Sequence, residues 1–329
     1  MIYHAKFSAF GSYAPKKIVN NFDLEKIVDT SDEWIRTRTG MFERHYTAPD
    51  EAASDLAIVA ATRAIESSEV KYKDIDLIVC ATISGDHPFP STACVVQNRL
   101  GLKGFPAFDV SAGCTGFIYA LETAKQFVEN GSRQNVLVLG VDILTKITNW
   151  QDRNTCVLFG DGAGAAIVSR ATSSDISRII DTIIDADGSQ GELLIQHAGG
   201  SRMPASHETV DKNLHTVYME GNKIYKNAIK SMYASSTEVL RRNNLSTTDV
   251  DWVIPHQANL RIIEGLADKM KVPMNKVIVN IEKYGNTSSA TIPLALDEAI
   301  RNKKVRRGDI ILLTSFGAGL TWGSILARY

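Results

Sequence analysis

No two of the four cysteines stand in a C-x-x-C pair, which removes the common zinc and thioredoxin-like redox motifs from consideration. Cys80, Cys94, Cys114 and Cys156 are also too sparse for a disulfide framework, which a chain of 329 residues does not need. A reducing, cytoplasmic setting is the expectation. No apolar run approaches the length of a membrane span, and the opening segment from Met1 to Gly11 is broken by His4 and Lys6, so it lacks the apolar region of a secretory signal. Neither sign of charge is in excess: 36 basic against 37 acidic residues leave a net charge of -1. A nucleic-acid binder normally presents a strongly basic face, so that class is not expected. His197, His207 and His215 lack paired-ligand spacing, and no metal site is expected.

What is present is an ordinary globular composition, 44% hydrophobic and 22% charged, long enough for about two domain-sized units. The two halves of the chain echo each other at one offset. Asp74 to Asp76 leads into the apolar run Leu77 to Val79, and Asp249 to Asp251 leads into Trp252 to Ile254; 249 minus 74 is 175. Leu121 and Leu296, and the strand-like runs beginning at Val136 and Ile311, are separated by the same 175. Each half reads as alternating amphipathic helices and short apolar strands, an α/β pattern with sheets covered on both faces. The stretch after Cys114 is apolar around most of a helical circumference and belongs in the interior. The segment His197 to His215 interrupts the echo and reads as a surface excursion.

Cys114 stands between Gly113 and Thr115 where an extended stretch meets that interior helix. A thiol in the first turn of a helix feels the positive end of the backbone dipole, which predicts a lowered pKa and a reactive thiolate. An isolated cysteine is more often a small buried hydrophobe. Downstream, however, stand His256, just after the run Trp252 to Pro255, and Asn286, one turn before Ser289, the residue that matches Cys114 at the 175 offset. Cys, His and Asn at long range form a nucleophile pattern. Taken singly, His256 could be a core histidine and Asn286 a helix cap; taken together, the three side chains are expected to line one cavity.

Six blocks in order carry a resemblance: Thr30 to Ile35 with Arg38 to Gly40, Asp109 to Cys114, Phe159 to Gly164, Pro255 to Asn259, Gly285 to Ser288, and Phe316 to Gly323. Over essentially its whole length the chain resembles the bacterial β-ketoacyl-acyl-carrier-protein synthase III enzymes of the thiolase superfamily. The resemblance implies a duplicated, five-layered αβαβα sandwich, with residues 1–172 carrying the nucleophile and residues 173–329 carrying His256 and Asn286. It also implies a reaction that starts fatty acid biosynthesis. Cys114 takes an acyl group from acyl-CoA, malonyl-acyl-carrier protein loses carbon dioxide, and the enolate attacks the acyl-cysteine. His256 and Asn286 are implied as donors to the enolate oxygen, and the Cys114 and Ala318 amides as donors to the tetrahedral oxygen. No cofactor beyond these substrates is implied.

For CoA the resemblance implies an adenine sandwiched by Trp34 and Arg153, with Thr30 and Arg38 nearby and Gly221 and Asn259 along the pantetheine arm. Trp34 could instead anchor a capping box from Thr30 to Glu33. Phe159 belongs to the implied acyl pocket, and Phe89 reaches across a homodimer interface to close it. Lys226, Arg261 and Lys269 are the implied contacts for an acidic carrier protein, although surface lysines and arginines are usually only solvated. Ala318, Thr115 and Tyr225 depart from the family's usual residues, which leaves primer preference open. The run Gly160 to Ala166 mimics a dinucleotide fingerprint, but it is followed by strand-like residues where the fingerprint needs a helix. Three rival readings remain: an acyltransferase with another acceptor, a papain-like hydrolase in which the asparagine orients the histidine, and a non-catalytic interaction protein.

Overall fold

The chain is described by a computed structural model covering residues 3–329; Met1 and Ile2, part of the opening segment read above, lie outside the described residues. Two sheets are built to one plan. The first runs in the order Ala5–Tyr13, Asp161–Arg170, Asn135–Ile143, Leu77–Ala81, Ala107–Val110, and the second in the order Arg178–Ala186, Thr321–Arg328, Ile310–Gly317, Trp252–Pro255. In both, the first three strands are antiparallel and the fourth joins in parallel. The first sheet's fifth strand has its counterpart in a single parallel bridge from Val253 to Val277.

The duplication holds at the level of register. Leu77 pairs with Val136 in the first sheet and Trp252 with Ile311 in the second. Both pairs differ by 175 at each position. The short 3-10 turn Gly113–Thr115 repeats as Ser288–Ala290, and the helices that follow, Gly116–Glu129 and Thr291–Arg301, again begin 175 apart.

Those two helices form the central layer, packed between the sheets, while Ala53–Glu66 covers the outer face of the first sheet and Gly221–Arg242 that of the second. With Thr92–Arg99 and Leu260–Met270 beside the outer helices, the order is helix, sheet, helix, sheet, helix. A helix between two sheets buries most of its circumference, so it must be apolar over most of it; in Gly116–Glu129 the stripe Tyr119, Glu122, Thr123 and Gln126 reaches solvent, with Gln126 exposed. Phe117, Ile118, Leu121, Leu296 and Ala299 accordingly share one core with Val138, Ile311 and Leu313 from the two sheets. Truncating a fully buried leucine such as Leu121 to alanine is expected to cost about 2–5 kcal/mol.

Asp161–Arg170 is a strand in the first sheet, so the glycine run there does not open a helix as a dinucleotide site requires. The Thr30 to Glu33 capping box is corrected by one residue. Ser31 is the N-cap, its hydroxyl accepting from the Trp34 amide at 3.1 Å. Thr30 leaves its own hydroxyl buried and without a partner.

Candidate active site

A cavity of about 1040 Å³ lies where the two 3-10 turns and the ends of both sheets meet, and Cys114, His256 and Asn286 all line it. Its size suits a ligand well beyond a single small metabolite. Cys114 sits in the turn Gly113–Thr115, immediately before the central helix Gly116–Glu129. The surrounding backbone is crowded. A side chain begun on Gly113, whose φ is +52°, would meet the Ala318 amide nitrogen at 2.7 Å, and one begun on Gly317 would meet the Cys114 amide nitrogen at 2.6 Å. Glycine at these positions lets the turn carrying the thiol rest against Gly317 and Ala318. Ser315 braces it further by donating to the Cys114 carbonyl at 2.9 Å.

The expected acidic thiol is not what this environment produces. Burial pushes the Cys114 thiol up to about 12, with the nearby Ser288 hydroxyl opposing the shift and the Asp142 carboxylate adding to it. The position at a helix start was legible in the sequence. The desolvation that outweighs the dipole depends on the cavity walls and was not.

His256 follows the strand Trp252–Pro255, and its amide bonds to the Thr314 carbonyl at 2.8 Å. The ring is buried, and desolvation lowers its pKa to about 3, so the imidazole is neutral at physiological pH. Nδ1 lies 2.7 Å from the Thr291 hydroxyl. Asn286 is held by a bridge to Phe159, donating from its amide to the Leu158 carbonyl at 2.9 Å while its carbonyl accepts from Gly160 at 3.0 Å. Its side-chain oxygen accepts from the Ser288 amide at 2.8 Å, which leaves the carboxamide NH2 as the group able to donate elsewhere. Local capping and a donor role are therefore compatible at this residue. The papain-like arrangement is not present, because Thr291 rather than an asparagine engages the imidazole.

The remaining sequence-derived residues divide. Trp34, Arg38, Phe159, Gly221, Asn259, Arg261 and Ala318 line the cavity; Thr30, Phe89, Arg153, Lys226 and Lys269 do not. Phe89 is 86% exposed on this chain, so it closes no pocket within its own subunit. Trp34 and Arg153 do not frame an open slot: the guanidinium lies 4.8 Å from the indole centroid and donates to the Asp29 carbonyl at 3.0 Å. An adenine needs about 7 Å between two flat groups, so it can stack on Trp34 only after Arg153 moves aside. Asn259 spends its side chain on structure, accepting from the Arg261 amide at 2.9 Å and donating to the Arg38 carbonyl at 3.1 Å. Lys226 and Lys269 are exposed on the outer helices, the latter resting over Tyr233.

The residues 108–188 match the model of 3-oxoacyl-[acyl-carrier-protein (ACP)] synthase III, and residues 240–329 match that of the C-terminal part of the same family. Over 97% of this chain and 96% of the relative, the sequence is 55% identical to the beta-ketoacyl-acyl-carrier-protein synthase III of Caldanaerobacter subterraneus subsp. tengcongensis. That of Clostridioides difficile is 49% identical over the same shares. The crystal structure of 3-oxoacyl-acyl-carrier-protein synthase III from Aquifex aeolicus VF5 superposes with a TM-score of 0.91 at 48% identity, covering 99% of this chain and 100% of that one. The chain belongs to the 3-oxoacyl-acyl-carrier-protein synthase III family.

As a member of the synthase III family it carries the thiolase-like duplicated sandwich, and both matched regions meet at the cavity, the first contributing Cys114 and the second His256 and Asn286. Sequence reasoning missed several participants. Thr291 and Asp142 lie outside the motifs, and Ser288, the last residue of one, was given no role of its own. The excursion read as surface has roots in the short paired strands Leu194–Gln196 and Val217–Met219, and all six of those residues line this synthase cavity. Among the described residues no group of three or more His, Cys, Asp or Glu is placed to hold a metal, and no helix is long and apolar enough to cross a membrane.

Proposed function

We propose that this synthase is an acyltransferase that condenses an acyl-CoA primer with malonyl-acyl-carrier protein, giving a 3-ketoacyl-acyl-carrier protein, CoA and carbon dioxide as the first condensation of fatty acid synthesis. The observation that carries the reading is the presence of a thiol, a neutral imidazole and a carboxamide in the lining of one cavity, in a chain 55% identical to a named synthase III.

In the first stage the Cys114 sulfur attacks the thioester carbonyl of acyl-CoA. The oxygen that becomes negative is placed for the amides of Cys114 and Ala318, which the close contacts at Gly113 and Gly317 hold side by side. The carbon–sulfur bond to CoA breaks, and the proton lost by Cys114 leaves on the CoA thiol. One thiol replaces another, so the step is proton-neutral overall; the attacking species is still the thiolate, and a resting thiol pKa of about 12 keeps its fraction small before acyl-CoA binds.

In the second stage the malonyl thioester carbonyl sits between His256 and Asn286. Its carbon–carboxylate bond breaks, carbon dioxide departs, and the electron pair flows into an enolate. The enolate carbon attacks the acyl-Cys114 carbonyl and expels the sulfur, which regains a proton. Each donor to the enolate oxygen is worth about 3 kcal/mol. A neutral hole suits this step, since a cation would also hold the carboxylate that must leave.

The same reading takes the enzyme as a cytoplasmic homodimer with Phe89 of each subunit directed at the other's acyl pocket, using no resident cofactor. Lys226, Arg261 and Lys269 form the face that meets an acidic carrier protein. The test is to measure the mass added to Cys114 by acyl-CoA alone and the carbon dioxide released when malonyl-acyl-carrier protein follows. An adduct with carbon dioxide release supports condensation; an adduct without it transfers the case to acyl transfer onto another acceptor.

A further inference from the structure

The turns Gly113–Thr115 and Ser288–Ala290 hold equivalent places in the two halves, and their first residues share one backbone conformation, with φ at +52° in both. The first half meets that left-handed conformation with glycine, the residue suited to it. The second half places a serine there, which bears the steric strain that glycine avoids. A side chain begun on Gly113 would strike the Ala318 amide, whereas Ser288 lines the cavity. What the strained position supplies is a hydroxyl in the catalytic chamber.

Ser288 is 1% exposed, and among the described residues its hydroxyl has no hydrogen-bond partner. Its backbone, by contrast, is engaged: the amide donates to the Asn286 side-chain oxygen at 2.8 Å and the carbonyl accepts from the Thr291 hydroxyl at 3.0 Å. A buried hydroxyl left unpaired gains most from an acceptor that arises only during the reaction. The acceptor at hand is sulfur. Burial and the Asp142 carboxylate both disfavour a Cys114 thiolate, and the Ser288 hydroxyl is the side chain that opposes them. The other polar groups at the site are already committed, Asp142 to Ser289, Ile83 and Ser84, and the neutral His256 ring to Thr291 through Nδ1. A thiol sulfur is a weak acceptor, and a thiolate is a strong one. We propose that Ser288 is a further catalytic residue, its hydroxyl donating a hydrogen bond to the Cys114 sulfur as that atom becomes a thiolate. The serine O–H bond stays intact, and the Cys114 proton still leaves on CoA. The same hydrogen bond steadies the sulfur when the enolate carbon expels it. This rests on the reading of Cys114 as the acyl acceptor.

The experiment compares wild type, Ser288→Ala and Ser288→Gly in three rates: Cys114 acylation by acyl-CoA, Cys114 alkylation by iodoacetamide at pH 8, and carbon dioxide release by enzyme already acylated. Both variants should acylate about tenfold more slowly, the loss of one hydrogen bond to a charged atom. Alkylation should slow about threefold, because a thiol pKa about one unit higher leaves fewer thiolates but makes each more nucleophilic. Carbon dioxide release should stay within about twofold of wild type, since the backbone amide that holds Asn286 is kept. Unchanged acylation or unchanged alkylation in both variants overturns the inference. So does a loss of carbon dioxide release equal to the loss of acylation, which would make the serine only a prop for Asn286. Should Ser288→Ala fail to fold, Ser288→Gly, matched to its twin Gly113, decides alone. A wild type that takes no acyl group from acyl-CoA sinks the reading of Cys114 as acyl acceptor, and the alkylation rates then judge the serine by themselves.

Discussion

Ser289 occupies in the second half the place that Cys114 occupies in the first, and its amide is already bound to an anion, the Asp142 carboxylate at 3.1 Å. The Ser289 hydroxyl reaches the same oxygen at 2.7 Å. Adding 175 to 142 gives 317, and the residue there is glycine. The duplicated fold thus holds two equivalent turns. A carboxylate fills the space over one, and the other keeps that space open over the amide assigned to the tetrahedral oxygen.

Gly317→Ala should therefore abolish acylation of Cys114 more severely than it harms folding, because the new methyl would lie 2.6 Å from the Cys114 nitrogen. Asp142→Asn should do the reverse. The other carboxylate oxygen accepts from Ile83, Ser84 and Thr82 at 2.9, 2.8 and 3.2 Å, and an amide NH2 there would face donors. A stability loss of about 2–3 kcal/mol is expected. Denaturant titration and the mass of the Cys114 adduct separate the two effects.

Alkylation of Cys114 by iodoacetamide in the free enzyme should climb about tenfold per pH unit from 7 to 9 without levelling, since the thiolate fraction grows until the pKa near 12 is reached. Peptide mass spectrometry isolates Cys114 from the exposed Cys94. A plateau by pH 8 would mean that the helix terminus prevails over burial after all.

Asn286→Asp keeps the oxygen that accepts from Ser288 and removes the NH2 that remains to donate. Acylation should survive, while carbon dioxide release falls by about 100-fold or more. Equal loss in both half-reactions would contradict the assignment.

At the entrance, Trp34→Ala should raise KM for acyl-CoA about tenfold, with KM for malonyl-acyl-carrier protein unchanged. Arg153→Ala should change it less than about threefold, because Arg153 now covers the indole that the adenine would use. A larger effect from Arg153 than from Trp34 would restore the sandwich.

Much of this architecture is written in the chain because the duplication carries no net insertion between Leu77 and Val141, so strands, turns and central helices repeat at one offset. That Cys114, His256 and Asn286 share one cavity was legible through their motifs. What escaped depends on neighbours distant in sequence. The Cys114 pKa is set by walls from both halves, and the cavity side formed by Leu194 to Gln196 and Val217 to Met219 flanks a segment whose composition suggests only surface. Asn259 lines the cavity, but the bonds of its side chain to the Arg261 amide and the Arg38 carbonyl were not legible in the motif.

The most direct test is a single turnover with enzyme acylated on Cys114 and freed of CoA, then mixed with malonyl-acyl-carrier protein. One equivalent of carbon dioxide, with the acyl mass leaving Cys114 and appearing on the carrier, is the predicted result. Acyl groups that stay on Cys114, or that leave it as free acid without carbon dioxide, would contradict it.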